Sequence, residues 1–197
     1  MIALVDMAGT KLEGECKDLR QGAAFTKRVK IEASTEYDIT RESNLVIITA
    51  GAAQRPGESR LDLIGRNVGI MKSVITKVIA ESPKAAICIV ANPCDIMTAV
   101  AAKLAGPDIP PGRIFGSGCV LDSGRFDALI AASLNVNTDS VQGYIIGEHG
   151  DSSVPVWSSV RVGGVPAVPP GENVPDVYKA LHAEVFQSAG DVIKKKV

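Results

Sequence analysis

Apolar runs of strand length that alternate with longer helical patterns constrain this chain more than any other feature. Ile2–Val5 ends at Asp6, Val29–Ile31 is short, and Leu45–Ile48 and Ile87–Val90 are apolar throughout. Ile114–Phe115 closes the series. Between them, Lys11–Gly22 spaces Leu12, Cys16 and Leu19 as a helix does. Glu58–Ala80 spaces Leu61, Ile64, Val68, Met71, Ile75 and Val78 in a three-then-four rhythm, and a further helix runs over Asp95–Leu104. Continuously apolar strands separated by helices predict a doubly wound α/β fold, a parallel sheet covered on both faces. Past Asp122 the pattern changes to a helix over Asp122–Leu134, an apolar stretch Val141–Ile146, a Pro/Gly-rich surface loop over Gly163–Pro175 and a final amphipathic helix over Asp176–Lys196. The boundary falls near Gly116, dividing 1–115 from 116–197.

Composition excludes several classes of function. The 197 residues are 46% hydrophobic and 22% charged, enough to build a core and too apolar for general disorder. Lys and Arg total 21 against 22 Asp and Glu, a net charge of -1 that offers no field for nucleic acid or anionic membrane. Aromatic residues, at 4%, supply no stacking platform for single strands. Cys16, Cys88, Cys94 and Cys119 have no paired short spacing, and His149 and His182 lie far apart, so no zinc signature emerges. Free thiols in a reducing cytosol are expected. The opening MIALVDMAG has no basic region of a signal peptide, and the longest apolar stretch, Ala85–Ala91, is far below the roughly 20 residues of a membrane helix. The expectation is a soluble, cytoplasmic chain without metal.

Ligands of open parallel sheets sit at the C-terminal ends of the strands, so the residues after each run carry the chemistry. Asp6 could hydrogen-bond a ribose diol, and it could equally cap a turn. Thr49-Ala50-Gly51-Ala52 would let a ligand approach the backbone, or simply make a tight turn. Asn92 could cap the following helix or touch a ligand. Further on, Asp122-Ser123-Gly124-Arg125 puts a carboxylate and a guanidinium one helical turn apart, and Gly147-Glu148-His149-Gly150-Asp151 brackets a histidine with glycines.

Taken in order, VIITAGAAQRPGESRLDL, VANPCD, GSGCVLDSGRF and GEHGDSSVPVW closely resemble the lactate/malate dehydrogenase family over about Ile2 to Lys196. The resemblance implies a Rossmann NAD-binding half followed by the start of an α+β catalytic domain. It also implies hydride transfer between NADH and a small 2-oxo or 2-hydroxy acid. A protonated His149 would deliver the proton that the carbonyl oxygen requires, and a buried Asp122 would hold one ring tautomer and favour the imidazolium. Arg60 matches a loop arginine that closes over the substrate, with Gly57 as a hinge. Arg125 matches the arginine that grips the substrate carboxylate, where two parallel N–H bonds fit better than a lysine's point charge. Asn92 matches an amide contacting both cofactor and substrate. Asp6, Lys11, Tyr37, Gly51, Ala52, Ser73 and Val90 fall at cofactor positions.

Gln54 bears on the substrate. Malate-type members carry an arginine there to neutralise the second carboxylate of oxaloacetate, so a neutral amide favours pyruvate. The neighbouring Arg55 could restore a countercharge if the loop shifted by one residue, which keeps malate conversion as the alternative. Relatives activated by fructose 1,6-bisphosphate use an arginine and a histidine where this chain has Asp127 and Gln142, so no such site is expected. Family members commonly assemble as homo-oligomers, partly through the helix matching Glu58–Ala80.

Two departures stand against this pattern. A G-x-G-x-x-G turn should lie about 20 residues before the ribose-binding acid, and only five residues precede Asp6. The phosphate cradle and the first, central strand are therefore expected to be missing from 1–115. At the other end 116–197 reads as a partial substrate domain. The expectation is a fragment that binds NADH poorly alone; an inactive truncated paralogue serving as an assembly partner is the reading of another class.

Overall fold

In a computed structural model, residues 1–26, 29–52 and 60–196 are described. The chain divides into two compact units, Met1–Phe115 and Gly116–Val197.

The first unit runs β1 (Ile2–Val5), α1 (Gly9–Gln21), β2 (Ile31–Ser34), β3 (Leu45–Ile48), α2 (Arg60–Glu81), β4 (Ala86–Ile89), α3 (Cys94–Ala105) and β5 (Ile114–Gly116). β1 pairs with β2 in parallel, and β3 with β4 in parallel, with β5 beyond β4. Among the described residues the two pairs form separate sheets. Register decides which face is apolar core. Val46 lies opposite Ile87 and Ile48 opposite Ile89, and α2 and α3 bury that face with Met71, Ile75, Val78, Met97 and Ala101. Burying such a side chain contributes roughly 1.5–3 kcal/mol. The two-sided cover expected from the apolar runs is incomplete: on the opposite face Leu45 and Ile47 remain 53% and 59% exposed.

Local chemistry moves several bounds. α1 starts at Gly9 rather than Lys11, after a turn in which the Ala8 amide donates to Asp6 Oδ1 at 2.8 Å. β2 covers Ile31–Ser34 rather than Val29–Ile31, because its partner Ile2–Val5 sets the register from Ile31 onward. β4 ends at Ile89, one residue earlier than its apolar run. α3 stops at Gly106, whose φ of 84° suits glycine.

The second unit contains α4 (Val120–Leu134), the short strands β6 (Val141–Gln142), β7 (Ile145–Ile146), β8 (Val154–Pro155), β9 (Arg161–Val162) and β10 (Val165–Pro166), and α5 (Asp176–Lys196). α4 ends at Asn135, which takes a left-handed conformation and donates its amide to the carbonyls of Ala131 and Ala132. Phe126, Ile130, Val141, Ile145, Val160 and Val185 form the core, with Phe126 edge-on to Trp157 at 5.1 Å. The apolar stretch Val141–Ile146 is two strands in two sheets. The break falls at Gly143, where a Cβ would stand 3.0 Å from Asp127 Oδ1 and 3.1 Å from the Phe126 ring. The expected loop over Gly163–Pro175 includes β10, paired antiparallel with β9.

Candidate active site

Three of the candidates meet in the second unit. α4 presents Asp122, Ser123 and Arg125 within one turn. The hairpin β7–β8 carries His149 in the loop 147–153. Close passage of the chain over α4 at Gly143 puts β7 against this turn. Ser123 Oγ accepts the Ile145 amide at 3.0 Å, and Cys119 Sγ lies 3.5 and 3.4 Å from the carbonyls of Gly147 and Glu148.

His149 Nδ1 then lies 2.6 Å from Asp122 Oδ2. A carboxylate only accepts, so Nδ1 carries the hydrogen and donates it. The other oxygen, Asp122 Oδ1, faces Arg125 Nη1 at 3.8 Å. Asp122 is 4% exposed, whereas the side chains of His149 and Arg125 keep about a quarter of their surface in contact with solvent, at 23% and 24%. A buried carboxylate with an imidazole N–H on one side and a guanidinium on the other satisfies its charge inside the protein and leaves both partners reachable. This arrangement can give up a proton and hold an anion within one turn of helix.

The remaining candidates belong to the first unit. Asp6, Gly51, Ala52, Val90 and Asn92 follow the C-terminal ends of β1, β3 and β4, with Asp6, Gly51, Val90 and Asn92 exposed. Tyr37 packs against the apolar core, with Lys77 Nζ 5.1 Å from its ring centre. Burial, then the Asp6 carboxylate, hold its phenol above its usual pKa, so it stays protonated. Lys11 and Ser73 sit on exposed faces of α1 and α2. Arg60 is the first residue of α2. Gln54, Arg55 and Gly57 lie outside the described residues.

Asn67 is the residue that sequence reading passed over. It is 2% exposed, its Oδ1 accepts the Ala52 amide at 2.8 Å, and its Nδ2 donates to the Asn92 carbonyl at 3.0 Å. One side chain thus ties together the segments after β3 and β4. An amide between Ile64 and Met71, on the apolar side of an amphipathic helix, was the available signal.

These strand ends fit the ribose side of a dinucleotide. Asp6 offers an exposed carboxylate, and Gly51-Ala52 offers small residues beside the backbone. The 197 residues contain no G-x-G-x-x-G. Among the described residues no group of acidic, Cys or His side chains could hold a metal, and no helix is long and apolar enough to cross a membrane.

The chain belongs to the lactate/malate dehydrogenase family: residues 1–116 match its NAD binding domain and residues 119–197 its alpha/beta C-terminal domain. Over 99% of its length it is 48% identical to L-lactate dehydrogenase A-like 6B of Homo sapiens and to an L-lactate dehydrogenase of Petromyzon marinus. It is equally similar to the L-lactate dehydrogenase C chain of Sus scrofa, at 48%. The chain spans 52%, 59% and 60% of the length of these three relatives.

Proposed function

We propose that this chain carries the acid–base and carboxylate-binding residues of an NAD-dependent L-lactate dehydrogenase, reducing pyruvate to L-lactate and running in reverse. The observation that carries the reading is the 2.6 Å contact between His149 Nδ1 and Asp122 Oδ2, with Arg125 at the same carboxylate. NADH, when bound, supplies the hydride. As the substrate carbonyl is reduced, its oxygen acquires negative charge and must be protonated. With Nδ1 engaged by Asp122, the proton that His149 delivers is the one on Nε2, and Asp122 stabilises the imidazolium that holds it beforehand. Arg125 holds the carboxylate of the 2-oxo acid through paired N–H bonds.

Asp6, Lys11, Tyr37, Gly51, Ala52, Ser73, Val90 and Asn92 are the candidate cofactor contacts, and Asn67 holds two of those segments in place. Arg60 is the second cation for the developing oxyanion, and Gln54, a neutral amide, favours pyruvate over oxaloacetate. The relatives named above, all L-lactate dehydrogenases, support the same substrate. Under this reading the protein is a homo-oligomeric cytoplasmic enzyme of glycolysis and pyruvate fermentation, with no metal.

The test is NADH oxidation by the native protein carrying this sequence, with pyruvate and oxaloacetate compared at equal concentration. The reading predicts a higher kcat/KM for pyruvate, and Gln54→Arg should move the preference towards oxaloacetate. Preference for oxaloacetate in the unmodified protein would assign malate chemistry instead. Turnover of neither would remove the dehydrogenase reading.

A further inference from the structure

We infer that His182, on α5, is a positioning residue for the loop that carries His149, acting through Ser153. This inference rests on the proposed function for its catalytic meaning, and on the contacts of the second unit for its geometry.

The hairpin that presents His149 is weakly built. Its ladder has two residue pairs, Ile145 with Pro155 and Ile146 with Val154. Beyond them the Val156 amide donates to the Tyr144 carbonyl at 2.8 Å, while Ile145, opposite Pro155, turns its amide away from β8 to Ser123 Oγ. The seven-residue loop therefore needs fixing at both feet. At the first foot, Gly147 takes a φ of 90° and the carbonyls of Gly147 and Glu148 rest on Cys119 Sγ. Within the loop, Ser152 Oγ donates to Glu148 Oε2 at 2.5 Å, the Gly150 amide to the Glu148 carbonyl at 3.0 Å, and the Ser153 amide to the Gly150 carbonyl at 3.1 Å.

The second foot is Ser153. It is 6% exposed, and its hydroxyl lies 3.2 Å from His182 Nε2. His182 comes from α5, 29 residues further on. Its ring meets Phe186 edge-on at 5.7 Å, and Val185 beside it is fully buried in the core. α5 is thus packed on the core at Val185, and the hydroxyl–imidazole contact ties the loop to it. A buried hydroxyl without this partner would be left unsatisfied, so the loop would rearrange to find another. Burial also holds the His182 pKa below the usual value, keeping the ring neutral and able either to accept from Ser153 or to donate to it.

The experiment follows hydrogen exchange of the 147–153 segment and the Nδ1–H proton resonance of His149 in the native protein and in Ser153→Ala, His182→Ala and His182→Gln. Loss of the contact should speed exchange of the segment about tenfold and weaken the His149 resonance in both alanine variants. Exchange of the α4 amides should stay unchanged, which separates a loosened loop from a destabilised unit. His182→Gln should restore the slow exchange, because its amide can meet Ser153 Oγ. In pyruvate reduction, kcat should fall with little change in KM, since Arg125 sits on α4 and not on the loop. Unchanged exchange and an unchanged resonance in Ser153→Ala would overturn the inference, even if His182→Ala fails to fold. A protein that shows the loop effect without reducing pyruvate would remove the lactate reading and leave the positioning role standing.

Discussion

The imidazole of His149 and the carboxylate of Asp122, 27 residues apart in sequence, meet at 2.6 Å through a contact that fixes the ring's tautomer. The pair depends on the carboxylate being charged. In Asp122→Asn the group keeps its shape and an acceptor oxygen but no longer stabilises a protonated ring. We expect kcat for pyruvate to fall about 10²-fold or more, with far-UV circular dichroism unchanged. A kcat within twofold of the parent would deny Asp122 its role.

Arg125 gives a second prediction. Lysine preserves its charge but cannot make two parallel bonds to a planar carboxylate. Arg125→Lys should raise KM for pyruvate by roughly tenfold to a hundredfold, equivalent to about 1.4–3 kcal/mol, while KM for NADH stays near its starting value. Steady-state kinetics with each substrate varied in turn would check this.

Asn67 tests the support beneath the first unit's strand ends. Asn67→Leu fits the apolar side of α2 but leaves the Ala52 amide and the Asn92 carbonyl without their partner. Ala52 is half-buried and Asn92 exposed, so each lost bond costs about 0.5–1.5 kcal/mol. A lowered melting temperature and weakened NADH binding, read by calorimetry and by fluorescence titration, are expected together.

Much of the fold was legible in the residues. Strand β3 coincides with the run Leu45–Ile48, and α5 with the amphipathic pattern Asp176–Lys196, because burial on one or both faces writes itself into sequence as period. What periodicity cannot register is a close approach. Gly143 breaks Val141–Ile146 because α4 passes within contact of it, and nothing next to Gly143 in sequence signals Phe126 or Asp127. Partner register shifted β2 for a similar reason: Ile2–Val5 selects which residues pair. At the site, the resemblance already implied Asp122 as the buried partner of His149, and the hairpin is the element that brings the two together. Asn67 escaped notice because its role is to satisfy two backbone groups supplied by distant loops. Ser153 and His182 are linked only through tertiary packing.

Acid stability gives a prediction with a definite sign. Burial holds the His182 pKa in the folded chain below its ordinary value of 6.5. Well above that pH neither state binds the proton, and the group contributes no pH dependence. As pH falls through 6.5 the unfolded chain is protonated first, so stability declines until the lower folded pKa has been passed. The melting temperature should therefore fall more steeply just below pH 6.5 in the parent than in His182→Gln, which has no such proton to take up. Equal slopes would show that His182 titrates alike in both states.

The central claim is that His149 delivers the proton in pyruvate reduction. The most direct measurement is single-turnover reduction of pyruvate by His149→Gln in the native protein, with NADH affinity measured in parallel. We predict an NADH Kd within about threefold of the parent and a reduction rate lowered by about 10²-fold or more. Reduction at the parent's rate, with NADH bound as before, would contradict the assignment of His149 as the acid.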